Sequence, residues 1–293
     1  MRLLRAYPLI SFFALAYLLT WALWAPLLIN GIPAFSETRH VPSLAALPGV
    51  AIGVTGTAIF MTWVTQGGAG VRRLWQRLTT WDVGTGWYLV ALLAIPLIEI
   101  LVTAAAAGPQ MFRTLAPSSL LLYPAAFGSH FIFGPLFEET GWRGFALPRM
   151  QHRFGPLKGT LLLGLLWAGW HFFLYAPAWF SGDAAIGVIE AVIFVGFTVT
   201  ISVLFTWLSN NTRSSLLLVM LLHGSINGTA TYVQVLGDRG VISHDAAVFC
   251  AGLGALAAAL ITAALILWRT HRRLSYPRYR YEAEHLDLTR IMH

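Results

Sequence analysis

Charge is scarce in this chain. Asp, Glu, Lys and Arg make up 11% of its 293 residues, against 57% hydrophobic residues, and the mean hydropathy is +0.68. Soluble globular domains carry roughly 25% charged residues, so the shortage excludes that class and points to an integral membrane protein. Cysteine is scarcer still: Cys250 stands alone, which excludes an internal disulfide and any cysteine pair around a metal. It lies in the run VFCAGLGALAAAL, where small side chains suit close helix contact in lipid and the thiol packs. Strand patterns of about ten alternating residues are missing, which argues against a membrane β-barrel. Internal repeats, low-complexity runs and linkers long enough to separate two domains are missing too.

Long apolar runs are what the sequence has. Eight stretches, near residues 8–30, 44–65, 86–107, 119–147, 157–176, 186–208, 214–236 and 246–268, each approach the roughly 20 residues a helix needs to cross the hydrocarbon core. The expectation is an all-α fold: a polytopic integral membrane helical bundle of about eight transmembrane helices, multi-pass in the cell membrane. The first stretch follows Arg2 and Arg5 like a signal peptide, but its apolar run is too long and it has no clear small-x-small cleavage site, so it reads as a membrane helix. Expected organisation is 1–118 as N-terminal transmembrane helices with a cytoplasmic interfacial segment, 119–236 as the core, and 237–293 as the last transmembrane helix with a basic tail.

Basic residues set the expected orientation. Arg2, Arg5, Arg72, Arg73, Arg77, Arg149, Arg153, Lys158, Arg213, Arg269, Arg272, Arg273, Arg278, Arg280 and Arg290 fall at one set of span ends, and only Arg39, Arg113 and Arg239 at the other. The positive-inside rule then places both termini in the cytoplasm. This bias accounts for the net charge of +7 with no nucleic-acid partner, and the basic tail is expected to meet the anionic lipid bilayer. VRRLWQRL, between the second and third spans, reads equally as an interfacial helix or a solvated loop.

Ionisable groups inside spans are costly and usually functional. Three spans carry them: Glu138, Glu139 and Arg143 in FEETGWRGFALPRM, His171 in LLWAGWHFF, and His223 with Asn227 in LLHGSIN. At about 1.5 Å per helical residue, Glu138 lies about 16 Å, His171 about 20 Å, His223 about 15 Å and Asn227 about 21 Å from the cytoplasmic ends of their spans. Three helices thus present polar groups at one depth, which predicts one shared buried site. Glu99 reaches a similar depth but reads equally as a structural group, Glu190 sits near an outer span end where it can snorkel, and His130 reads as a packing or gating residue.

Helix geometry separates the roles. Glu139 and Arg143, four apart, share a face and are expected to pair, whereas Glu138 is rotated about 100° away and free for another partner. His223 and Asn227, also four apart, can address one point as hydrogen-bond donors. Pro135 is expected to kink or restart the helix just before the glutamates, opening a wet cavity beside them.

The ordered motifs Glu-Glu-x-x-x-Arg at Glu138, Glu139 and Arg143, aromatic-x-x-x-His at Trp167 and His171, and His-x-x-x-Asn at His223 and Asn227 resemble the CPBP family, the CAAX proteases and bacteriocin-processing enzymes, over roughly residues 125 to 235. That resemblance implies an intramembrane endopeptidase acting on a membrane-anchored peptide or protein. Glu138 aided by His171 would activate water, His223 and Asn227 would hold the oxyanion, and Glu139 with Arg143 would support them. Trp167 stands where the family more often has Phe, and only a change in packing is expected from it. No cofactor is favoured. A divalent metal such as zinc would use Glu138, His171 and His223, although H-E-x-x-H is absent and the two histidines lie on different helices. A transporter or a non-catalytic immunity-type protein are the competing readings. Arg149, Arg153 and Lys158 are expected to form a basic cytoplasmic mouth that draws a substrate carboxylate.

Overall fold

The computed structural model describes residues 1–30, 44–108, 111 and 117–285, with side chains described to residue 280. The orientation reading at Arg39, Arg113 and Arg290 falls outside those residues. Within them eleven helices follow one another: α1 Arg2–Ala6, α2 Pro8–Ile29, α3 Leu44–Leu78, α4 Thr85–Ala107, α5 Pro117–Phe133, α6 Pro135–Phe154, α7 Pro156–Trp179, α8 Ala184–Asn211, α9 Leu216–Asp238, α10 His244–Arg269 and α11 Tyr276–His285. Seven are long and apolar enough to cross a membrane, and α5 with α6, bent by 41°, makes an eighth span broken in the middle. The protein is a multi-pass membrane helical bundle, as its composition requires.

Local sequence starts these helices where it should. Pro8 and Pro156 sit in first turns, where a missing N–H costs nothing. Asp183 accepts the Ala185 and Ile186 amides at 2.7 and 3.3 Å at the start of α8. Ser215 and Ser243 cap α9 and α10 in the same way, each satisfying an otherwise orphaned amide.

Helix α9 is the axis of the bundle: 78% of its apolar window is buried, against 22% for α2. Gly224 and Gly228 let it approach α5 closely, since a Cβ at Gly228 would lie 2.8 Å from the Phe127 Cα. Small residues four apart are the usual device for such contact in lipid. From the other side α2 ties itself to α7: Tyr17 donates its hydroxyl to the Leu166 carbonyl and Trp21 its indole N–H to the Trp170 carbonyl at 3.0 Å. The helices that carry His171 and His223 are therefore fixed by packing from both flanks.

VRRLWQRL continues α3 as helix beyond a break at Gly67 (φ 68°). Trp75 is exposed, but Arg77 is buried and donates to the carbonyls of Ser214, Gly144 and Arg143 at 3.0, 2.7 and 2.8 Å. Neither an interfacial helix nor a solvated loop anticipates that clamp between α3, α6 and the α8–α9 turn. Arg149 corrects another expectation. It is 4% exposed, donates to the Phe145 carbonyl at 2.9 Å and stacks on the Phe145 ring at 3.8 Å, so it forms no part of an open mouth. Only Arg153 and Lys158 of that trio reach the surface. Tyr279 of α11 packs near both buried arginines. Burial raises its phenol above the ordinary value, while Arg77, a Ser214 hydrogen bond and Arg149 pull the other way.

Candidate active site

The break between α5 and α6 sits at Gly134 (φ −137°, ψ −78°), immediately before Pro135. Proline cannot continue the α5 ladder, so the chain restarts as a new helix whose first turns carry Glu138 and Glu139. Both are buried, at 5% and 0% exposure. From Thr140 to Ala146 the helix widens into a π-turn in which every residue is buried.

The two glutamates face different partners. Glu139 takes Arg143 Nη1 at 3.0 Å and His223 Nδ1 at 2.7 Å on a single oxygen, Oε1. Arg143 is itself sandwiched, its guanidinium 4.2 Å from the Trp167 ring and 4.1 Å from the Phe205 ring. Two aromatic faces thereby stabilise the part of the cation the carboxylate does not reach. Glu138 turns toward α7: its Oε2 accepts the Trp167 indole N–H at 2.8 Å and lies 3.9 Å from His171 Nε2. That last distance exceeds a hydrogen bond.

His171 and His223 are oriented in a similar way. His171 Nδ1 lies 3.0 Å from the Trp167 carbonyl, which can only accept, so Nδ1 carries the proton and Nε2, on the Glu138 side, holds a lone pair in the neutral ring. His223 Nδ1 on the Glu139 carboxylate is held by the same logic. Trp170, Phe194 and Tyr175 enclose His171, with ring centroids 4.6, 5.4 and 5.6 Å away. Asn227 lies one turn beyond His223 on α9, partly buried.

The structure thus gathers Glu138 with His171, and Glu139 with Arg143 and His223, on three helices as their common depth predicted. It corrects the reading of Trp167, which does more than pack: its indole donates to Glu138. The sequence signal was present, since tryptophan alone among apolar aromatic residues brings an N–H donor. No group of three His, Cys, Asp or Glu side chains among the described residues is placed to hold a metal ion; His223 is turned onto Glu139 instead. His130 donates to or accepts from Thr231 at 2.7 Å, and Glu99 is buried on α4 with neither carboxylate oxygen hydrogen-bonded.

Residues 118–229 match the family model described as type II CAAX prenyl endopeptidase Rce1-like. A curated relative, the CAAX prenyl protease 2 of Methanococcus maripaludis, is 30% identical over 112 residues, which are 36% of this chain and 40% of the relative. The match thus spans about two fifths of the relative's length. No solved structure matches. The matched segment runs from the start of α5 into α9 and contains every side chain of both clusters, so it is over the site itself that the chain is similar to the Rce1-like, type II CAAX prenyl endopeptidases.

Proposed function

We propose that this protein is an intramembrane endopeptidase of the cell membrane that hydrolyses a peptide bond of a membrane-associated protein or peptide. The observation that carries the reading is the facing of Glu138 and His171: carboxylate Oε2 and imidazole Nε2 stand 3.9 Å apart, too far to bond directly and close enough for one water to touch both. Glu138 takes a proton from that water as the hydroxide adds to the scissile carbonyl carbon. The negative charge that develops on the carbonyl oxygen is met by His223 in its imidazolium form, whose Nε2–H donates while Nδ1–H stays on Glu139, and by Asn227. Collapse of the intermediate breaks the C–N bond as the proton passes from Glu138 to the leaving nitrogen. One water is consumed, and a carboxylate and an amine are released.

Glu139 and Arg143 are supporting residues in this scheme. Arg143 neutralises the buried Glu139 carboxylate, and Glu139 in turn fixes the ring of His223. The chemistry needs no metal. A zinc-dependent variant would require Glu138, His171 and His223 on one ion, hence rotation of His223 away from Glu139.

The test is proteolysis by the purified protein in liposomes. Glu138→Gln and His171→Ala should each abolish cleavage of a verified substrate while leaving insertion and melting close to those of the parent. Full turnover by Glu138→Gln would refute the scheme. Inactivity of the parent on every membrane-anchored peptide offered, with intact binding, would favour the non-catalytic reading.

A further inference from the structure

Trp167 is bonded to both Glu138 and His171, and it reaches them through different atoms. Its indole Nε1 donates to Glu138 Oε2 at 2.8 Å, and its backbone carbonyl takes His171 Nδ1 at 3.0 Å. We propose that Trp167 is a positioning residue whose indole N–H fixes the Glu138 carboxylate so that Oε2 stays turned toward His171 and toward the reacting water between them; this rests on the endopeptidase reading above.

The indole ring has little freedom to do otherwise. It is 5% exposed and carries the Arg143 guanidinium on one face at 4.2 Å. His223 and Phe205 stand edge-on at 5.2 and 5.6 Å. Arg143 is itself held by Glu139 at 3.0 Å, so the orientation of the indole is inherited from the supporting ion pair. Such a chain passes rigidity from Glu139 to Glu138 without any contact between the two carboxylates. A donor held this firmly selects one carboxylate rotamer, which a flexible donor would not.

The bond is specific to this tryptophan. Trp142 and Trp170 are as deeply buried, yet their indole nitrogens find no partner. Burial alone therefore does not bring an indole N–H to an acceptor in this core. The other side of the carboxylate is open for a different reason: a Cβ at Gly134 would come within 3.2 Å of Glu138 Oε1, and glycine at the helix break leaves that approach clear. The groups facing Glu138 are then Arg143 from its own helix and Trp167, His171 and Tyr175 from α7. Of these, the indole N–H is a neutral donor that keeps its proton at every pH the protein meets, so its hold on Oε2 does not change as the carboxylate and imidazoles exchange protons.

The test replaces Trp167 in the full-length protein by β-(3-benzothienyl)alanine, which keeps the bicyclic shape and substitutes sulfur for the N–H. The expected result is a fall in kcat on the order of tenfold or more, the size of a small misplacement of a reacting group, with KM changed by less than about twofold. Trp167→Phe should show the same split. A kcat within about twofold of the parent for the benzothienyl variant would overturn the proposal, because packing is preserved and only the donor is gone. A second readout does not depend on turnover. In thermal unfolding, the benzothienyl substitution should lower the melting temperature of the parent but leave that of Glu138→Leu unchanged, and equal effects in both backgrounds would refute the hydrogen bond. A parent that cleaves nothing would overturn the endopeptidase reading and the catalytic consequence with it, while the unfolding cycle would still decide the bond.

Discussion

Glu139→Leu is the perturbation for which the structure gives the clearest magnitude. Glu139 is fully buried and its Oε1 accepts two charge-assisted bonds, from Arg143 at 3.0 Å and His223 at 2.7 Å. Hydrogen bonds to charged groups contribute about 1.5–3 kcal/mol each, so losing both costs about 3–6 kcal/mol. Removing one partner of a buried ion pair independently gives about 3–5 kcal/mol, and the two routes agree near 4 kcal/mol. At about 2–4 °C per kcal/mol for a chain of a few hundred residues, the melting temperature should fall by roughly 8–16 °C. The damage is the stranded Arg143 cation, 1% exposed between two aromatic rings, so replacing it as well should restore much of the loss. Glu139→Leu/Arg143→Met is expected to melt above Glu139→Leu, because an apolar pair of similar volume is often no less stable than a buried ion pair. Glu138→Gln, which leaves an amide oxygen for the Trp167 indole, should melt within a few degrees of the parent, at a cost of about 1 kcal/mol or less. The assay is detergent-solubilised thermal unfolding of the four proteins side by side. Equal melting of Glu139→Leu and Glu138→Gln, or a double variant no more stable than the single, would refute the division of labour between the adjacent carboxylates.

Two further outcomes are expected. Prolonged treatment with a strong chelator should leave turnover intact, and elemental analysis of active protein should find no stoichiometric zinc; activity lost to chelation and restored by zinc would replace the Glu138–His171 scheme with a metalloprotease. Charge reversal at the exposed Arg153 and Lys158 should raise KM more than it lowers kcat if a substrate carboxylate approaches from the cytoplasmic face, and Lys158, the sole lysine, should react with an impermeant amine reagent from that side alone. An unchanged KM, or labelling from outside, would sink that approach.

The architecture was legible because the bilayer imposes it. Seven of the eight apolar runs lie in helices long enough to span, and the fourth is divided between two helices bent by 41° at the Gly134–Pro135 step, where proline removes a ladder bond. The site was legible for a similar reason: charge is so rare in the spans that polar groups at equal depth on three helices mark one shared pocket. What escaped the sequence were contacts that depend on side-chain direction after folding. Arg77 and Arg149 read as cytoplasmic surface charge because arginine at a span end usually is, yet both turn inward onto backbone carbonyls that the π-turn and the α8–α9 turn leave available. Trp167 read as bulk because periodicity describes its ring and is blind to its N–H.

The π-turn accounts for how one buried cation serves two neighbouring carboxylates in one membrane helix. In an α-helix four residues overshoot a full turn, since the repeat is 3.6, and position 143 would stand rotated from Glu139 away from the side of Glu138. With i→i+5 bonding over Thr140–Ala146, four residues fall just short of a turn, so Arg143 comes back on the Glu138 side of Glu139, to which it bonds at 3.0 Å. The guanidinium bonds Glu139 and lies on the Trp167 face, and Glu138, also within its field, accepts the Trp167 indole N–H beside His171. A π-turn is rare and commonly found at functional sites, and here the local reason is visible. In the proposed scheme it stations one buried guanidinium, bonded to the supporting carboxylate, on the side of the neighbour that would exchange a proton.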